Sequence, residues 1–123
     1  MPDAPFEPIT IFHNPKCSKS RQAFDLIDAQ GEPFTVVEYL KTPPDRSTLE
    51  WIVARLETPP IGLVRTDDPV FRALGVDELS LTTATAVVDL LMDHPEVMQR
   101  PVVLRGDKVV IARPPELVAG VFV

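Results

Sequence analysis

One cysteine, Cys17, stands in the stretch His13-Asn14-Pro15-Lys16-Cys17-Ser18-Lys19-Ser20-Arg21. Its thiolate would be a nucleophile and its thiol much less of one, so the surroundings of the sulfur decide what it can do. Lys16, Lys19 and Arg21 place positive charge beside it, and His13, if protonated, would stabilise a thiolate across the turn. The commoner fate of a lone cysteine is that of a small buried hydrophobe. Here the polar and turn-forming neighbours argue for an accessible, reactive sulfur instead.

The same residue limits the chemistry. A single cysteine closes no intramolecular disulfide and makes no multi-thiolate metal site, which excludes disulfide scaffolds and zinc fingers. If its sulfur has redox work, the electrons come from another molecule. A redox C-x-x-C needs a second cysteine where Ser20 stands, and a phosphate-cradling C-x5-R loop needs an arginine where Ala23 stands. The two histidines, His13 and His94, lie far apart with no carboxylate pattern joining them, so no metal site is expected. His94, beside Pro95, reads as a surface or helix-capping residue. Arg65, Arg100 and Arg113 each fall at an element boundary beside proline or turn residues. A guanidinium fork suits a tetrahedral oxyanion, since it donates to two oxygens at once, although boundary arginines also serve structure.

The elements that must position these residues follow from pattern. Ile9-Thr10-Ile11-Phe12 is a short strand stopped by Asn14-Pro15, and Ala23, Phe24 and Ile27 mark a helix from Ser18 to Gln30 ended by Gly31. Cys17 therefore lies where a strand hands over to a helix. At such a helix start, unpaired N–H groups and the positive end of the macrodipole favour a thiolate. Phe34–Leu40 reads as a second strand, closed by Thr42-Pro43-Pro44. Ser47-x-x-Glu50 matches a capping box before Leu49, Ile52, Val53 and Leu56, and Thr82 or Thr83 opens another helix closed by Pro95. Between them, residues 61–76 suggest short helical pieces divided by a turn. Pro101–Leu104 and Lys108–Ile111 read as strands joined at Arg105-Gly106-Asp107, followed by a short helix from Pro114-Pro115-Glu116. The order is β-α-β, a helical block, then β-β-α, an α/β domain with a helical insertion at about residues 45–95.

Composition agrees with one domain. The chain has 123 residues, 45% hydrophobic and 24% charged, with fourteen prolines and a net charge of -6. That balance excludes a general nucleic-acid-binding surface, so any anion site must be local. Residues 1–8 lack the basic start and apolar stretch of a signal peptide, and no run reaches the length of a membrane helix. A soluble cytoplasmic protein without membrane partners is the expectation.

Taken in order, Ile9 through Arg21, Tyr39-Leu40-Lys41-Thr42-Pro43-Pro44, Arg65 with Phe71 and Leu74-Gly75, His94-Pro95, Arg100-Pro101-Val102-Val103 and Arg113-Pro114-Pro115-Glu116 resemble the glutaredoxin-coupled arsenate reductases, the ArsC-like family of the thioredoxin superfamily. The resemblance implies a thioredoxin-like fold with a mixed sheet and a helical insertion. It implies Cys17 as nucleophile, Arg65, Arg100 and Arg113 as oxyanion-binding arginines, His13 and Ser20 as catalytic neighbours of the thiolate, and a cis Arg100-Pro101 bond. It further implies arsenate as substrate, glutathione as co-substrate, glutaredoxin as partner, and no bound cofactor. The loop Ser18-Lys19-Ser20 departs from the Gly-Thr-Ser more frequent in that family. Two other readings stand beside it: a glutathione-dependent thiol oxidoreductase whose arginines bind a glutathione carboxylate, and a redox-linked regulatory binding module, since the same fold includes transcription regulators that bind RNA polymerase.

Overall fold

Four short strands, β1 (Thr10–His13), β2 (Thr35–Glu38), β3 (Val102–Arg105) and β4 (Lys108–Ile111), form one sheet in the order β2-β1-β3-β4. The structure is a computed structural model that describes residues 9–122, so residues 1–8, read above for a signal peptide, lie outside the described residues. β1 runs parallel to β2 and antiparallel to β3, which pairs antiparallel with β4. The sheet is therefore mixed. β2 is shorter than the sequence pattern suggests, because the N–H groups of Lys41 and Thr42 both turn back to the Glu38 carbonyl, each at 2.9 Å. β3 and β4 are joined by Gly106-Asp107, with Gly106 at φ 59, the left-handed conformation that glycine supplies at the first position of a two-residue hairpin turn.

Contacts divide the chain into two compact units. One takes the described residues through Thr42 and those from Arg100 onward, and the other is Pro43–Gln99.

In the first unit, side chains alternate across β1, sending Ile9 and Ile11 to one face. Helix α1 (Ser18–Asp28) lays Ala23 and Ile27, one turn apart, against that face, and Val103, Ala112, Val118 and Val121 complete the core. Fully burying one such isoleucine contributes about 1.5–3 kcal/mol. His13 continues the Ile9, Ile11 alternation and so meets the same helix. The chain's last described segment, Pro115–Phe122, winds as a 3-10 helix where the sequence suggested an ordinary short helix. The Leu117 N–H takes the Pro114 carbonyl at 3.0 Å, an i to i+3 bond that sets the tighter winding.

The second unit is helical. It contains α2 (Arg46–Arg55), α3 (Pro69–Ala73), α4 (Ala84–Asp93) and 3-10 turns at Pro60–Leu63, Glu78–Ser80 and Pro95–Val97. α2 buries Leu49, Ile52 and Val53, and α4 buries Val87, Val88 and Leu91. Arg46 and Asp89 form an ion pair between these two helices. The cap of α2 corrects the sequence reading: Asp45, not Ser47, is the N-cap, and its carboxylate accepts from the Thr48 N–H at 2.8 Å. Ser47 instead donates its hydroxyl to Asp45. α4 starts from Thr83, whose hydroxyl oxygen accepts from the Ala86 N–H. His94 occupies the C-terminal cap position of α4 and pairs with Glu96.

Candidate active site

Cys17 is the N-cap residue of α1, in extended backbone geometry, and its side chain makes no capping bond of its own. The first helical bond runs from the Arg21 N–H to the Cys17 carbonyl at 3.0 Å, which leaves the N–H groups of the first turn without intrahelical partners. Those of Ser20 and Lys19 favour charge on the nearby Cys17 sulfur without closing a capping bond to it. Burial pushes the thiol pKa up, but the Ser20 N–H, the Arg100 charge, the Lys19 N–H and the Arg113 charge together outweigh it and hold the pKa below the ordinary thiol value. The half-buried sulfur is therefore biased toward thiolate, the nucleophilic form.

Topology explains why these groups meet. β1 ends at His13, β3 begins opposite it with Phe12 facing Val102, and β4 ends with Ile111 facing Val102. The loop after β1, the Arg100-Pro101 approach to β3 and the Arg113 exit from β4 thus share one end of the sheet. Both Arg100-Pro101 and Arg113-Pro114 are cis; the resemblance implied the first of these and not the second. The Arg113 guanidinium donates to the Arg100 carbonyl at 3.0 Å, which ties the two arginine segments together.

The loop that carries Cys17 is hydrogen-bonded throughout. The Asn14 carbonyl accepts from the Cys17 N–H at 2.9 Å, and the Asn14 side-chain oxygen accepts from the Lys16 N–H at 3.0 Å. The Asn14 N–H donates to the Ser20 hydroxyl oxygen at 3.0 Å. Ser20, fully buried, also shares a 2.6 Å hydrogen bond with His13 Nδ1. A buried hydroxyl left without partners costs about 1–3 kcal/mol, which these bonds offset. Asn14 was read from sequence only as a turn residue; its position before proline at a strand end is the signal for this side-chain turn.

The sequence made His13 a support for the thiolate on the condition that its ring is protonated, and its surroundings disfavour that form. Burial lowers its pKa, Glu38 raises it, Arg21 lowers it and Asp25 raises it, and the net direction is down. The charged form of the ring is disfavoured there, and through Nδ1 the ring holds the Ser20 hydroxyl. Its face packs on Phe24, with ring centroids 5.3 Å apart.

The structure thus brings His13, Cys17, Ser20, Arg100 and Arg113 together in one unit. Arg65 belongs to the helical unit, where its N–H bonds the Val97 carbonyl at 2.8 Å and its guanidinium pairs with Asp68 at 2.5 Å. Among the described residues, no group of three or more His, Cys, Asp or Glu side chains could hold a metal ion. No helix among them is long and apolar enough to cross a membrane.

The sequence pattern of the ArsC family matches residues 12–121, which takes in the cysteine loop, Arg65, Arg100 and Arg113. The chain belongs to the ArsC family. An arsenate reductase of Neisseria meningitidis serogroup A is 40% identical over 115 residues, covering 93% of this chain and 97% of that protein. Among solved structures, an arsenate reductase from Vibrio cholerae has a TM-score of 0.80 at 30% identity, covering 92% of this chain and 96% of its own. A Yersinia pestis structure has a TM-score of 0.81 at 36% identity, covering 91% and 98%. This ArsC chain has the thioredoxin-like α/β fold of those relatives, with its cysteine at the N-cap of the helix that follows the first strand.

Proposed function

We propose that this chain reduces arsenate to arsenite, with Cys17 as the nucleophile and glutathione with glutaredoxin as the source of electrons. The relatives named arsenate reductase support the substrate. The observation that carries the chemistry is the placement of Cys17 at the N-cap of α1, beside the free N–H groups of its first turn, with the Arg100 and Arg113 segments tied together at the same end of the sheet. Those groups suit an anionic nucleophile and an oxyanion substrate alike.

The Cys17 thiolate attacks arsenic, an S–As bond forms, and one arsenate oxygen leaves as water after taking up protons. Arg100 and Arg113 hold the negative charge of the remaining oxygens. A glutathione thiolate then attacks the Cys17 sulfur. The S–As bond breaks with its electron pair staying on arsenic, so As(V) becomes As(III) and arsenite departs. The two thiol sulfurs, now oxidised, form a Cys17-glutathione disulfide, and a glutaredoxin thiolate attacks the glutathione sulfur to release Cys17. One enzyme cysteine suffices for this sequence. The resemblance adds Arg65 as a third oxyanion ligand, and that part of the reading rests on the resemblance alone.

The test is arsenite production by the purified protein with glutathione and glutaredoxin. Wild-type protein is expected to turn over and Cys17→Ser to fall to background. Identical rates for the two, or turnover of a glutathionylated peptide with none of arsenate, would overturn the proposal.

A further inference from the structure

We infer that Arg21 is a positioning residue for Cys17, acting through the carbonyl of Pro15. Its guanidinium Nη1 donates to that carbonyl at 2.9 Å, reaching back from the second turn of α1 across the loop that ends in the nucleophile. Helical side chains lean toward the N-terminus, so the residue one turn after the N-cap is the one able to make this reach.

The loop's other bonds show what this one adds. The N–H groups of Asn14, Lys16 and Cys17 are all taken, by Ser20, the Asn14 side chain and the Asn14 carbonyl. Pro15 has no N–H, so its link to α1 runs through its carbonyl. Ser20 holds the loop from the buried side and Arg21 from the exposed side. Loss of Arg21 leaves the Pro15-Lys16 peptide held by the Lys16 N–H to Asn14 alone, so that it can tilt about that bond. Such a tilt shifts Cys17 relative to the N–H groups of Ser20 and Lys19, and a sulfur moved off those donors loses thiolate stabilisation.

Arg100 and Arg113 are the cations that favour the thiolate most, and the Arg21 charge bears on His13, together with Glu38 and Asp25. An effect of Arg21 on Cys17 that comes with lost protection of the Cys17 N–H therefore reports position. The inference rests on Cys17 as the reacting atom of the proposed function, but not on which oxyanion it attacks.

The experiment follows the rate of Cys17 alkylation by iodoacetamide from about pH 5 to 9, which reads the thiolate without any arsenate assay. Arg21→Met is expected to move the midpoint to higher pH and to slow alkylation at neutral pH by roughly threefold, as loss of one exposed charge-assisted hydrogen bond permits. Arg21→Lys, which keeps a donor able to reach the carbonyl, is expected to restore most of the wild-type rate. Hydrogen exchange separates local loosening from general destabilisation: in Arg21→Met the Cys17 N–H should lose protection while those of Ala23 and Ile27 keep theirs. An alkylation profile for Arg21→Met that superimposes on wild type, or loss of protection along all of α1, overturns the inference. A normal alkylation shift in a protein inactive on arsenate would instead count against the proposed substrate and leave the role of Arg21 standing.

Discussion

At His13 burial disfavours the charged form of a titratable ring, which makes the stability of the protein depend on pH. The folded-state pKa lies below the unfolded value of about 6.5, because burial outweighs the pull of Glu38 and Asp25. Below that unfolded value the denatured chain binds a proton that the native ring refuses, so the unfolded state gains. The stabilisation is complete above the unfolded pKa and is lost as pH falls through it toward the lower folded value. Denaturant midpoints measured at about pH 7.5 and 5.5 should fall more in wild type than in His13→Asn, which retains a polar partner for Ser20 without an ionisable ring. Equal slopes would show that His13 does not titrate differently in the two states. The location of this ring was legible in the sequence, four residues before Cys17 at a strand end, but its charge was not. Charge depends on burial against Phe24 and Ser20, and that requires α1 to be docked on the sheet. The roles of Asn14 and Arg21 were hidden for a related reason, since both act through bonds that exist only once the loop has closed.

Helix starts are where pattern reading met its limit among the elements. Asp45 and Ser47 are both good capping types two positions apart, and the sequence favoured Ser47 because Glu50 completes a capping box with it. The chain enters α2 earlier, at Arg46, so Thr48 becomes the third helical residue and the Asp45 carboxylate takes its N–H. The hydrogen bonds from Thr48 and Ser47 lower the Asp45 pKa. Asp45→Ala should therefore lower the thermal midpoint more than Ser47→Ala does. Thr83→Ala, which removes the bond to the Ala86 N–H, calibrates the comparison with an expected cost of about 1 kcal/mol. A larger loss from Ser47→Ala than from Asp45→Ala would return the cap to the residue that the sequence suggested. No such ambiguity arose at α1, where proline and asparagine end the strand and polar residues begin the helix, so the placement of Cys17 could be read directly.

Over the whole chain, acidic residues prevail while the charges of Arg100 and Arg113 act on the Cys17 sulfur. The switch from strand to helical periodicity and back made the β-α-β and β-β-α segments legible, because each period reflects which side chains face a core. Convergence of Arg100 and Arg113 on Cys17 was less so, since residues 83 or more positions from the cysteine meet it only through the antiparallel return of β3 and β4 beside β1. The net charge of -6 then makes a prediction about encounter with an oxyanion. Long-range repulsion from the acidic surface is screened as salt rises, with the Debye length shrinking from about 30 Å at 10 mM to about 8 Å at 150 mM. Attraction to the arginines at contact distance is screened much less. For arsenate, kcat/KM should therefore rise with sodium chloride over this range, by less than about threefold, where a protein steering anions by a basic surface would show a steep fall. A steep fall measured here would mean that exposed lysines such as Lys16 and Lys19 dominate the field an incoming oxyanion meets.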